Sequence, residues 1–219
     1  TFWYTIVGIL TGIATTALAA YPLSRKNFGP RRIFLFIIMF TMFFGGGMIP
    51  TYLTVVQMGL NNTMWAVMLP GAVSVYNMIV LRTSFKGIPT ALLESATIDG
   101  ANDVTLLFRI ILPLSGAALA TITLFYAVGN WSAWYNAMVY LQKRRDLYPL
   151  QLYLRELLIL DKNTDSFMNA LSGTSANSYL MKEIMKYCTI IVSTVPVLLI
   201  YPFVQKYFVK GVMVGAIKE

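Results

Sequence analysis

Long apolar blocks separated by short polar connections run the length of this chain. They cover residues 2–24, 33–58, 62–84, 115–141 and 184–207, and each reaches the about 20 residues that a helix needs to cross a bilayer. The pattern predicts an all-α, polytopic membrane helical bundle of about five transmembrane helices, with residues 1–219 forming a single domain.

The blocks differ inside. The first carries Gly8, Gly12, Ala17 and Ala20, small residues that let a second helix approach closely. The second is interrupted by Gly45-Gly46-Gly47 and then Pro50, which disfavour a continuous helix. Broken helix at membrane depth must be packed in protein or line a cavity, so these four residues are gate candidates. The competing reading is a helix end followed by an interfacial helix from Pro50 to Met58. The third block expects a kink at Pro70-Gly71 and holds Ser74, Tyr76 and Asn77 at span depth, as interhelical hydrogen-bonding groups or pathway lining.

The second half of the fourth block is rich in rings and amides: Tyr126, Asn130, Trp131, Trp134, Tyr135 and Asn136. One reading is an aromatic belt at the outer interface. The other is a sugar-stacking wall, in which Asn130 and Trp134, four apart, share a face with Tyr126 one turn earlier. The fifth block contains Pro196, Pro202 and Cys188, the last expected as a buried, inert thiol.

Composition agrees with the membrane reading. Hydrophobic residues make up 57% of the chain and charged residues 12%, against about 25% charged in a soluble domain. The net charge of +8 is dispersed over the loops, so no nucleic-acid stripe forms. One cysteine and no histidine exclude an internal disulfide and His-based metal or triad chemistry. Residues 2–24 outrun the apolar core of a signal peptide, and a further N-terminal segment is expected ahead of Thr1.

Charge also orients the bundle. The short loop Ser24–Arg32 holds Arg25, Lys26, Arg31 and Arg32 without an acid, which places it in the cytoplasm. Residues 142–183 then form an external loop, with a short amphipathic helix at Leu150 to Leu160, and residues 208–219 a cytoplasmic tail. Summed by side, the cytoplasmic segments carry ten Lys and Arg against four acids and the external ones seven against five. The chain start is expected outside and the C-terminus in the cytoplasm.

One polar island, residues 87–113, breaks the apolar pattern on the cytoplasmic side. Pro89 suits the first turn of a helix, which runs through Leu92, Leu93, Ala96 and Ile98 until Gly100 stops it. A second helix would hold Val104, Leu107, Phe108 and Ile111 on its apolar face before Pro113 ends it. Asp99 and Asp103 suit caps, solvent or a partner. Two short helices around a glycine present a knob for another protein.

The island also resembles a known motif. Glu94-Ser95-Ala96, three intervening residues, Gly100, nine intervening residues and Ile110-x-Leu112-Pro113 form a pattern similar to the EAA loop in inner-membrane permeases of binding-protein-dependent ABC importers. Asp99-Gly100-Ala101 matches the form common among carbohydrate importers. Tyr21-Pro22-Leu23-Ser24-Arg25, residues 41–50 and 72–77, and the tail Gly211 to Lys218 resemble the maltose-system class, in its branch for complex oligosaccharides and polysaccharide fragments. The resemblance covers essentially the whole chain; members usually have one more N-terminal span.

The resemblance implies the type I ABC importer permease fold in a bacterial inner membrane. The island would be the coupling loop, with Glu94 at a charged contact on the ATPase and Gly100 permitting the turn; Ser95, Ala96, Asp99, Ala101, Phe108 and Pro113 belong to the same surface. Gly211, Gly215 and Lys218 would reach into the ATPase dimer. The implied partners are a second permease subunit, two ATP-binding cassette ATPase subunits, an extracytoplasmic solute-binding protein and a carbohydrate. Tyr76, Asn77, Tyr126, Asn130, Trp131, Trp134 and Tyr135 are the substrate-pathway candidates. Lys143, Arg144 and Arg145 would suit an acidic sugar or contact the binding protein.

No phosphate-binding Gly-rich Lys-Ser/Thr loop occurs, so ATP and magnesium belong to the partner chains and no cofactor is expected on this one. An intramembrane enzyme or an ion channel would need ionisable groups at membrane depth. The blocks hold no Asp or Glu except at the edge, so the expectation is a transport subunit without catalytic residues.

Overall fold

The computed structural model describes residues 1–159 and 187–199, together with Ile184 and Pro202. Every regular element among them is helical. Helix α1 (Phe2–Ser24) follows the first apolar block to the residue. It is the one described helix long and apolar enough to cross a bilayer by itself.

Three bent pairs of helices are long and apolar enough to cross only if each pair is taken as one span. Helices α2 (Arg31–Phe43) and α3 (Met48–Gln57) meet at 114° across the glycine run. Gly47 takes φ +85°, a conformation that costs glycine little. Pro50 falls in the first turn of α3, where its missing N–H removes no helical bond. Helix α4 (Met64–Met68), a 3₁₀ turn (Leu69–Gly71) and α5 (Val75–Lys86) bend by 52°, so the expected kink is a full break. Ser74 caps α5 by accepting from the Asn77 backbone N–H at 3.3 Å.

The third pair corrects the sequence reading of the island's end. After α6 (Thr90–Ile98), helix α7 (Asp103–Thr105), a π-wound segment (Leu106–Ile111) and α8 (Leu112–Leu114) run as one helix through Pro113. The bend of 85° into α9 (Gly116–Trp131) comes at Ser115, whose Oγ is buried without a partner among the described residues. Pro113 lies one residue before the end of this continuous helix, where its missing N–H removes one backbone bond. The π winding also moves the apolar face. Leu106 joins Leu107 and Ile111 in the core, whereas Val104 and Phe108 are exposed; a wide turn aligns Leu106 with Ile111, five residues on.

A second correction concerns the ring-rich block, which is not one helix. Helix α9 ends at Trp131, and α10 (Tyr135–Tyr140) starts after a short break. Asn130 and Trp134 therefore share no helical face. Helix α11 (Leu150–Ile159) matches the short helix expected in the loop. The count stands at one to four spans among the described residues, plus the apolar helix Tyr187–Leu199 from the fifth block. Cys188 on that helix is exposed, not buried, since neighbouring Tyr187, Ile190 and Ile191 are uncovered as well. The rest of the external loop and the tail, including Gly211, Gly215 and Lys218, lie outside the described residues.

The core forms where α1 meets α5 and α9. Ala17 and Ala20 of α1 pack with Met78 and Leu81 of α5, Ile122 of α9, and Ile111 of the hairpin. In lipid this association rests on close van der Waals fit rather than on expulsion of water. The small residues of α1 supply that fit: Gly8 faces the Asn130 amide and Gly12 the Tyr126 ring.

Candidate functional site

The polar hairpin divides into a free half and an anchored half. Helix α6 buries none of its residues, and Glu94, Ser95 and Asp99 stand in solvent with Ile98 86% exposed. Gly100 takes φ +83°. Its N–H donates to the Thr97 carbonyl at 3.0 Å and the next N–H, of Ala101, to the Ala96 carbonyl at 2.9 Å. This pair of bonds satisfies the end of α6 with glycine in the left-handed position. Asn102 then caps the second helix, its side chain accepting from the Thr105 N–H at 2.8 Å. Phe108 and Pro113 face outward on that helix, while Leu107 and Ile111 enter the core.

Asp103 is exposed but bonded. Its carboxylate accepts the Tyr21 hydroxyl at 2.5 Å, and that hydroxyl accepts from Arg25 Nη2 at 3.0 Å. Arg82 Nε donates to the Leu23 carbonyl at 2.9 Å. Nothing in the local sequence pairs residue 21 with residue 103.

Farther along α1 a cavity of about 450 Å³ opens between α4, α5 and α9, within the range of small-molecule sites, about 300–1,000 Å³. Tyr76, Asn77, Tyr126 and Asn130 of the expected pathway line it. Ser74, Phe125 and Asn136 add polar and aromatic surface. The remaining wall is small or aliphatic, and no lining residue is charged. Phe125 and the small residues Gly71, Gly129 and Ala133 were not legible as lining, because only the break after Trp131 turns Ala133 and Asn136 inward.

The lining residues differ in freedom. The Tyr126 hydroxyl lies 2.6 Å from Thr16 Oγ1 and accepts from the Ser74 N–H at 3.1 Å. Asn130 donates to the Tyr126 carbonyl at 2.8 Å, and Asn136 reaches the Val67 carbonyl at 3.4 Å. Tyr76 is 55% exposed and its ring lies 6.2 Å from that of Phe125. It is the open aromatic face of the cavity.

The other candidates lie elsewhere. Trp131 is buried against Phe2, with rings 5.5 Å apart, and donates to the Ser193 carbonyl at 3.1 Å. The Arg155 guanidinium covers Trp134 at 4.4 Å. Tyr135 donates to Met48 Sδ. Gly45, Gly46, Gly47 and Pro50 form the α2–α3 turn, away from the cavity lining. Lys143, Arg144 and Arg145 are exposed; Arg144 pairs with Asp146 at 2.7 Å, and its hydrogen bond holds that carboxyl below the usual range. Among the described residues no cluster of His, Cys, Asp or Glu could hold a metal ion.

Comparison with known proteins places the chain. Residues 4–135 match the family described as binding-protein-dependent transport system inner membrane component. The chain is 41% identical over 214 residues to the polygalacturonan/rhamnogalacturonan transport system permease protein YtcP of Bacillus subtilis (strain 168), covering 98% of this chain and 73% of that protein. It is 40% identical to protein LplC of the same organism, covering 98% and 71%. The crystal structure of a bacterial ABC transporter involved in the import of the acidic polysaccharide alginate superposes with a TM-score of 0.86 at 37% identity, over 94% of this chain and 72% of that chain.

The family match, the relatives and the shared fold together define a permease subunit of the ABC importer class. The chain belongs to the inner-membrane components of binding-protein-dependent transport systems, with the type I permease fold of its structural neighbour.

Proposed function

We propose that this chain forms part of the path by which an oligosaccharide or polysaccharide fragment crosses the inner membrane, coupled to ATP hydrolysis on partner chains. The cavity carries this reading: rings at Tyr76 and Phe125 offer apolar faces, and the amides Asn77 and Asn136 offer groups for hydroxyls, the mixed chemistry of a sugar. The relatives named above support the same substrate class.

Hairpin 87–113 is the coupling loop. Helix α6 has no buried residue and presents Glu94 beside exposed Leu92 and Ile98, so an ATPase subunit would cover an apolar knob rimmed by charge. On this reading the hairpin lies in the cytoplasm, with the start of α1 and loop 142–183 outside; the excess of Lys and Arg on the hairpin side supports it. A second permease subunit, two ATPase subunits that hold ATP and magnesium, and a solute-binding protein complete the assembly. The tail 211–218 is a second ATPase contact, and Gly45, Gly46, Gly47 and Pro50 are a turn that gates through the partner permease. The cavity has no cation, so carboxylates on an acidic sugar would meet Lys143 and Arg145 at the outer end.

The test is uptake by the complete transporter in proteoliposomes, with its binding protein and neutral or acidic oligosaccharides. ATP-dependent uptake of an oligosaccharide is the expected result. Uptake of a non-sugar solute with no response to oligosaccharides would overturn it.

A further inference from the structure

The anchored half of the hairpin meets α1 at one polar point. Asp103, the first residue of α7, accepts the Tyr21 hydroxyl at 2.5 Å, and Arg25 both donates to that hydroxyl and lies 4.8 Å over the ring. Beneath this joint Leu107 and Ile111 pack against the core that Ala17 and Ala20 share. The end of α1 and the second hairpin helix are therefore tied by both a directional bond and close packing.

Five residues back along α1, about 7.5 Å by helical rise, the same helix bonds to a residue of the cavity wall. Thr16 bonds the Tyr126 hydroxyl, which also holds the Ser74 N–H, and Thr15 donates to the Ala72 carbonyl at 3.1 Å. Tyr126 and Ser74 line the cavity. One helix thus connects the hairpin at Tyr21 with Thr16, the partner of the cavity-lining Tyr126.

We propose that Tyr21 and Asp103 are the joint through which the coupling hairpin drives α1, and that α1 passes the displacement to the cavity wall at Tyr126. Both are positioning residues and neither touches substrate. The proposal rests on the reading of the hairpin as the ATPase-docking element.

The experiment uses the complete reconstituted transporter and reads molecules imported per ATP hydrolysed. Tyr21→Phe removes the donated proton and keeps the ring; Asp103→Ala removes the acceptor; Asp103→Asn keeps a carbonyl acceptor. Tyr21→Phe and Asp103→Ala should each lower the ratio by about threefold or more, and the double variant should fall no further than the worse single one, as expected for two partners in one contact. Asp103→Asn should keep most of the ratio. An unchanged ratio in both single variants, or losses that multiply, would overturn the joint. If Tyr21→Phe lowers assembly, the comparison of Asn with Ala at exposed position 103 decides.

Docking is read separately by Ser95→Cys in a Cys188→Ala background, cross-linked to the ATPase subunit. A cross-link with an unchanged ratio overturns the joint alone. Absence of any cross-link overturns the docking reading and the joint with it.

Discussion

Gly12 of α1 lies directly under the ring of Tyr126: a Cβ at position 12 would stand 2.7 Å from Tyr126 Cε1. The ring is held at its hydroxyl by Thr16 and Ser74, so it cannot swing away. Gly12→Ala should therefore force α1 and α9 apart and cost about 1–3 kcal/mol, the usual range for overpacking. Thermal denaturation of the purified transporter should show a lower midpoint, and Gly12→Val a larger drop. Gly29, where a Cβ meets nothing within 4 Å, should accept alanine without loss.

This contact shows what could be read from sequence. Small residues marked α1 as a close-packing helix, and Gly100, Pro89 and the Gly45–Gly47 run marked turns, because glycine and proline act through their own backbone. Residue pairs distant in the chain were not legible. Tyr21 with Asp103, and Thr16 with Tyr126, depend on how helices dock. Faces failed where winding changed: in the π segment Leu106 is buried and Phe108 is not, and the break at residues 132–134 separated Trp134 from Asn130.

Gly100 turns the hairpin at φ +83° with no atom near its missing side chain. The cost of replacing it is thus conformational and not steric. Gly100→Ala should cost about 1–2 kcal/mol of local strain, and Gly100→Asn less, since asparagine tolerates the left-handed region. Import per ATP should fall in the same order, Ala below Asn below wild type.

Glu94 is exposed and α6 has no buried residue. Glu94→Ala should change stability by no more than about 0.5 kcal/mol, as for other surface positions. Its effect should fall on coupling instead: ATPase activity would respond less to the loaded binding protein, while melting stays at the wild-type value. Parallel loss of thermal stability would argue for a structural role.

Asp146 holds Arg144 through two oxygens, at 2.9 Å and 3.2 Å from Nε and 2.7 Å from Nη2. The bond lowers the Asp146 pKa, so what the pair adds to stability is present above the ordinary carboxylate range and is lost as pH falls through the depressed value. Both groups are exposed, and the stability effect should be too small to measure. The functional effect is larger. Asp146→Asn leaves Arg144 uncompensated beside Lys143 and Arg145, and should favour acidic over neutral oligosaccharides in competitive uptake, most clearly at low ionic strength.

Tyr76 is the lining ring with the most open face, and it is supported from the side by Phe125. A sugar stacked there would lose its apolar platform in Tyr76→Ala and keep it in Tyr76→Phe. Aromatic contacts of this kind are worth about 0.5–1.5 kcal/mol, so Tyr76→Ala should raise the half-saturating concentration for uptake by roughly two- to tenfold. Tyr76→Phe should stay close to wild type unless the hydroxyl itself reads the sugar. Tyr126→Phe gives the contrast, because that hydroxyl bonds Thr16 and Ser74 rather than the cavity: it should lower the melting temperature more than it changes half-saturation. If Tyr76→Ala left uptake unaltered while Tyr126→Phe raised half-saturation, the platform would lie deeper in the cavity than Tyr76.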